Sequence, residues 1–256
     1  MQAQEKKKIG AKAVMAIILL LAIIAVAVTV GLAVKPKESS FDYNFEKSVA
    51  CGIDVSEHNA QIDWKRVSSN IDFAFIRVAY RGYGSGNIVE DSLAKKNFKS
   101  ANRAKIPVGA YFYSQAITEE EAREEAEFAI RCIRHYDVEL PVVIDFEYAF
   151  DENGEHTGRL NDADNSREEN ARIINAFCDS VKKAGYTPGI YASSSVFEDR
   201  IDYKLLDKSA VIWVADYSSD VSRDIGYDIW QYSRTGECDG VDSSAVDLNY
   251  WYSKRQ

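Results

Sequence analysis

Eight short runs of apolar, β-branched and aromatic residues between Cys51 and Trp251 constrain this chain more than any other feature of it. They read "CGIDVS" (51–56), "FAFIRVAY" (73–80), "PVGAYFYS" (107–114), "LPVVIDFE" (140–147), "TPGIYAS" (187–193), "VIWVADY" (211–217), "YDIWQYS" (227–233) and "AVDLNYW" (245–251). Each has the length and composition of a strand bounded by polar or glycine-bearing segments. Amphipathic stretches separate the earlier runs. "TEEEAREEAEFAIRCIRHY" opens with Thr118 as N-cap and three glutamates in its first turn, and repeats Ala122, Ala126, Ala129, Ile130 and Ile133 on one face. "NSREENARIINAFCDSVKKAG" has the same form and stops at Gly185. Strand, helix, strand in succession predicts a parallel sheet, and eight strands are what a closed barrel needs. Later connections such as "SRTGECDGVDSS" are too short and too rich in Gly and Ser for helices. The expected fold is therefore α/β, an irregular TIM-like β/α barrel of eight strands with helices on its first part only.

Before the barrel, residues 13–34 read "AVMAIILLLAIIAVAVTVGLAV" without a charge. As a helix this run spans roughly 33 Å, the thickness of a hydrocarbon core. It exceeds the h-region of a secretory signal, so the reading is a single-pass signal-anchor, with cleavage near Ala33 and secretion as the alternative. The Lys-rich residues 1–12 are expected in the cytoplasm and the barrel outside the cell membrane. The domain plan is thus a basic flank (1–12), a transmembrane helix (13–34), a linker (35–49) and a barrel (50–256).

Several strand candidates turn polar in their C-terminal half. Asp54, Tyr80, Tyr113, Asp145 with Glu147, Tyr191, Asp216 with Tyr217, Gln231 and Asp247 all occupy such places. In a parallel barrel these ends converge on one face, the face that carries active sites. Asp145 and Glu147 are two residues apart on one strand, which puts their Cα atoms about 6.6 Å apart on the same side. Two carboxyls so placed can flank a glycosidic bond, one protonated as general acid and the other ionised. Fifteen tyrosines suit the same chemistry, since aromatic rings stack on the C–H faces of sugars. The polar stretch 149–166 after this pair is long for an idle loop.

Other chemistries find little support. His58, His135 and His156 lack metal-ligand spacing, and neither a G-x-S-x-G elbow nor a phosphate-binding glycine loop occurs. "GYGSG" (82–86) reads as a flexible loop. No metal or cofactor is implied. The net charge is -9, and once the basic residues 1–37 are set aside the remainder is near -14, which excludes nucleic acid as a natural partner. Cys51, Cys132, Cys178 and Cys238 allow three pairings, between which the sequence does not select.

Taken jointly, "GIDVSEHNAQIDW" (52–64), "PVVIDFE" (141–147), "TPGIYAS" (187–193), "WVADY" (213–217), "IWQYS" (229–233) and "VDLNYW" (246–251) resemble glycoside hydrolase family 25, the lysozyme-type N-acetylmuramidases. The resemblance implies cleavage of the β-1,4 bond between N-acetylmuramic acid and N-acetylglucosamine, with peptidoglycan glycan strands as the partner. It implies Glu147 as proton donor, Asp145 as the second carboxylate, and Asp54 and Asp247 as the remaining active-site acids. Asp145 then either attacks the sugar or orients the substrate's own acetamido group. Tyr80, Tyr113, Tyr191, Asp216, Tyr217 and Gln231 are the candidate substrate-binding residues. The rival readings are a chitinase-type barrel acting on a related N-acetylated glycan, against which Leu140 and Val143 replace two acids of its D-x-x-D-x-D-x-E strand, and a catalytically silent wall-binding module.

Overall fold

The computed structural model describes residues 48–218, 221 and 225–256. The apolar run 13–34 lies outside them. Among the described residues no helix is long and apolar enough to cross a membrane.

All eight predicted runs are strands: β1 Val49–Val55, β2 Phe73–Arg81, β4 Val108–Ser114, β5 Val142–Phe146, β8 Pro188–Ser193, β9 Val211–Ala215, β10 Ile229–Gly236 and β11 Val246–Tyr252. The short strands β3 Ile88–Glu90, β6 Ala149–Phe150 and β7 His156–Thr157 are additional. Strand β1 pairs with both β2 and β11, so the sheet closes on itself. From β1 to β10 the barrel strands run parallel, whereas β11 is antiparallel to β10 and to β1. The reason is the connection 237–245, shorter than the dozen or more residues a parallel crossover requires. One expectation is corrected here. Asp247 is not near the C-terminal end of its strand but is the second residue of β11, and it reaches the face of the other acids because that strand is reversed. At the opposite pole Val49 pairs with Tyr252, and the Ser253 amide donates to the Ser48 carbonyl at 3.1 Å.

Side chains alternate between the barrel interior and the helical layer, as strand geometry dictates. Phe73, Phe75, Trp213 and Trp251 fill the interior, with Phe75 and Trp213 centroids 4.6 Å apart. Glycines make room for them. A Cβ at Gly52 would lie 2.4 Å from the Phe73 ring, and one at Gly109 would lie 2.2 Å from Phe75. The interior is thus a packed floor rather than a pore, each large ring contributing about 1.5–3 kcal/mol on burial.

Helices α1 Trp64–Val67, α2 Ala94–Arg103, α3 Glu119–Ile133, α4 Arg159–Ala163, α5 Arg167–Lys183 and α6 Ser194–Asp199 cover the outside. The Thr118 hydroxyl accepts from the Glu121 amide at 3.2 Å, so α3 starts where its sequence says, and Ser166 with Glu169 forms a capping box on α5. Helices are not confined to the first part of the barrel. Ser193 caps α6 directly after β8, its hydroxyl accepting from the Val196 amide at 3.3 Å. Nor is "GYGSG" a free loop. It is the turn of the β2–β3 hairpin, closed by the Gly86 amide on the Gly82 carbonyl at 2.8 Å, with Gly86 at φ +70°. The stretch 149–166 carries the β6–β7 hairpin and all of α4. All four cysteines are unbridged.

Candidate active site

Along the interior rows the residues change from apolar to polar at one level. Val143 leads to Asp145 and Glu147, Gly52 to Asp54, Phe73 and Phe75 to Arg77, and Tyr111 to Tyr113, each step two residues along its strand. Register then sets neighbours side by side: Tyr113 beside Asp145, Asp145 beside Tyr191, and Asp54 opposite Asp247. Four carboxyls therefore share the walls of one cavity of about 340 Å³, whose floor includes Tyr111 and Trp213.

Asp54 is held by a chain of hydrogen bonds. Its Oδ2 accepts from Gln231 Nε2 at 3.0 Å and from Asn249 Nδ2 at 2.8 Å. Gln231 Oε1 accepts in turn from the hydroxyls of Tyr191 at 2.9 Å and Tyr217 at 2.7 Å, and Asn249 Oδ1 accepts from Trp213 Nε1 at 2.9 Å. Each amide thus has its orientation fixed by a neighbour that can only donate or by paired hydroxyls. Asp145 differs. Its Oδ1 is buried and has no hydrogen-bond partner among the described residues, the arrangement expected of a group that awaits a ligand.

Burial raises every one of these acids. It pushes Asp145 well above the carboxylate range, helped by the charges of Glu147 and Asp54. Asp54 is raised first by burial and then by Asp247, against its two amide donors. Burial takes Glu147 up to about 7, against the Tyr191 hydroxyl and with Asp247 adding to it. Asp247 rises to about 6 through burial, with Arg234 opposing. A cluster of this kind can hold a proton on one carboxyl at neutral pH while another is ionised, the condition for carboxylate acid–base chemistry.

The central cavity opens at both sides. Toward the β2–β3 turn it shares His58, Arg77 and Tyr113 with a cavity of about 570 Å³, which also holds Tyr80 and Tyr83. Toward the β6–β7 hairpin it shares Glu147, Tyr217 and Arg234 with one of about 530 Å³. The result is an open-ended groove, a shape that suits a polymer better than a small molecule. Of the candidate binding residues, Tyr113, Tyr191, Tyr217 and Gln231 line the centre and Tyr80 the first flank. Asp216 is turned aside: its Oδ1 accepts from the Ser218 amide at 2.9 Å and hydroxyl at 2.6 Å, and it lines none of the three cavities. Sequence reading passed over Arg77, Asn249 and Arg234. Arg77 and Asn249 lie two residues from Phe75 and Asp247, so the strand period alone would have put them on the inner face.

Residues 53–241 match the family described as glycosyl hydrolases family 25, which is well over half of the chain. This chain belongs to glycosyl hydrolase family 25. Among solved structures, this family 25 chain is similar to the modular autolysin LytC of Streptococcus pneumoniae, solved in complex with a synthetic peptidoglycan ligand, with a TM-score of 0.67 and 28% identity over 80% of this chain and 47% of that one. It thus spans about half the length of that autolysin. It is likewise similar to the bacterial lysozyme from Streptomyces coelicolor, with a TM-score of 0.64 and 25% identity over 78% of this chain and 91% of that one. The uncharacterized protein YegX of Escherichia coli O157:H7 is 26% identical over 208 residues, 77% of this chain and 68% of that protein. Asp247 lies beyond the matched residues, yet it stands opposite Asp54, which is inside them.

Proposed function

We propose that this family 25 glycoside hydrolase is a peptidoglycan muramidase that cuts the β-1,4 bond between N-acetylmuramic acid and N-acetylglucosamine. The observation that carries this reading is the setting of Glu147, a half-buried carboxyl at the junction of two cavities, which desolvation lifts to about 7. At neutral pH a substantial fraction of it holds a proton to deliver to the glycosidic oxygen; the sugar departs as an alcohol and Glu147 is left as carboxylate. Asp145, two residues away with an unpartnered oxygen, serves the other side of the same step: it attacks the anomeric carbon or orients the acetamido oxygen that does. Asp54, fixed by Gln231 and Asn249, and Asp247 stabilise the positive charge that develops on the ring. Similarity to LytC, solved with a synthetic peptidoglycan ligand, and to a Streptomyces coelicolor lysozyme supports this substrate class.

Digestion of purified peptidoglycan by the chain, followed by mass spectrometry of the new reducing ends, tests the proposal. Muramic acid at those ends supports it, whereas glucosamine ends or an inert protein overturn it. Replacement of Glu147 by Gln lowers the rate by at least ~100-fold, the usual scale for a general acid.

The barrel works at the outer face of the cell membrane, tethered by the uncharged run 13–34. Fractionation of the native host reads this directly. A chain recovered from the medium with its N-terminus near Val34 makes the segment a cleaved signal instead.

A further inference from the structure

The flanking cavity of about 530 Å³ beside Glu147 contains two arginines outside any salt bridge among the described residues, of which Arg234 also acts on Asp247 in the central cavity. Arg200 lies over the Tyr148 ring with 5.0 Å from Cζ to the centroid, and Arg234 lies over the Tyr217 ring at 5.2 Å. Neither forms a salt bridge or a side-chain hydrogen bond with a described residue. Their contrast with Arg77, Arg81, Arg159 and Arg255 is plain, since each of those is paired with a carboxylate. In a chain of net charge -9, cations left without a salt bridge in a groove are a recognition feature rather than a structural one. Stacking on tyrosine presents each guanidinium edge-free for bidentate binding of a carboxylate. The acids lining the same cavity are Asp199 and Glu147.

The position of this cavity says which part of the substrate it meets. Asp54, Asp145 and Asp247 all line the central cavity and not this one, while Glu147 lines both. A bond protonated by Glu147 therefore lies at the boundary, with the attacked sugar among the acids and the leaving half of the glycan in the flanking cavity. The wall of that cavity is built by the β6–β7 hairpin, where exposed Phe150 meets the His156 ring at 4.5 Å between centroids. An aromatic pair at the rim and two guanidiniums suit two successive sugars, the second of which carries an anionic branch.

Resting on the muramidase reading, in which the first sugar on the leaving side is the unbranched N-acetylglucosamine, we propose that Arg200 and Arg234 bind a carboxylate of the lactyl-peptide branch on the sugar after it, so that the enzyme prefers glycan that bears this charge. The shared chemistry is a carboxylate, whether of the lactyl group or of the stem peptide.

The test is binding of a soluble disaccharide-tetrapeptide, compared with the same compound after its carboxylates are converted to primary amides, to the full chain and to Arg200→Gln and Arg234→Gln. The unaltered chain is expected to bind the acid form roughly tenfold more tightly than the amide, as for a hydrogen bond to a charged group. Each Gln variant brings this ratio close to one, and Arg200→Lys and Arg234→Lys, which keep the charge but lose the bidentate edge, retain only part of it. Disaccharide with the peptide removed, which retains a free lactyl carboxylate, tells the lactyl source from the peptide source. A ratio near one in the unaltered chain, or Gln variants that weaken both forms equally, overturns the inference. Because the readout is binding, loss of the ratio alongside undiminished cleavage sinks only this inference, while a preserved ratio in a chain that cleaves nothing sinks only the muramidase reading.

Discussion

Asp54 and Asp247 face each other across the antiparallel seam between β1 and β11. Directly opposed residues of such a pair have their side chains on the same face and about 4.5–5.5 Å between Cβ atoms, and like charges there repel. Both acids are raised, Asp247 to about 6. A carboxyl raised in the fold holds a proton that the unfolded chain has already lost, so its contribution is fully present below the unfolded pKa near 4 and is lost as pH rises through the folded pKa. The expected outcome is that Asp247→Asn stabilises the protein at pH 8 by on the order of 2 kcal/mol and gives no gain at pH 3.5. Denaturant unfolding at the two pH values measures it, and an equal effect at both refutes the link between the seam and stability.

Activity is expected to share this dependence through Glu147. Since burial holds that carboxyl at about 7, kcat/KM for peptidoglycan falls as pH rises past that value and the acid loses its proton. Steady-state rates from pH 5 to 9 show the alkaline limb in the unaltered chain. The residual activity of Glu147→Gln lacks it.

The hydrogen bonds on Asp54 have a cost if broken. Asn249→Leu removes a donor from Asp54 and leaves the buried Trp213 indole N–H without its acceptor. A loss of about 1–3 kcal/mol is expected for each group left unpaired, although Leu is of similar size. Thermal melts against Asn249→Asp, which restores the acceptor for Trp213 but adds a negative charge beside Asp54, separate the two effects.

Barrel packing allows a sharper contrast. Gly109→Ala drives a methyl to 2.2 Å from the Phe75 ring, whereas a Cβ at Gly84 meets nothing within 4 Å. The first change destabilises by about 1–3 kcal/mol or prevents folding, and Gly84→Ala stays within about 0.5 kcal/mol of the parent. Similar unfolding midpoints for the two would contradict the packed floor.

Much of this was legible in the residues themselves. The eight runs became eight barrel strands because their β-branched and aromatic content suits a surface buried on both sides, and Asp145 with Glu147 followed from the strand period. Strand direction was not legible. Nothing in "VDLNYW" states that it runs backwards, and only the length of the preceding connection hints at it. Side-chain pairing was equally hidden: Asp216 has the same strand-end position as Asp54, yet Ser218 two residues on supplies a local amide and hydroxyl that turn it from the groove. The short strand β3 escaped because three residues after a glycine turn carry too little pattern to be read.

The pairing of Val49 with Tyr252 has a consequence for reach. It brings the chain into and out of the barrel at the pole away from the acids, and β1 then climbs from Val49 to Asp54 before any carboxyl is met. At about 3.3 Å per residue that climb is roughly 17 Å. Ser48 and Ser253 therefore lie at the base of the barrel, and the groove opens in the opposite direction. A glycan strand lying across the carboxyls thus does not meet the backbone at Ser48 or Ser253.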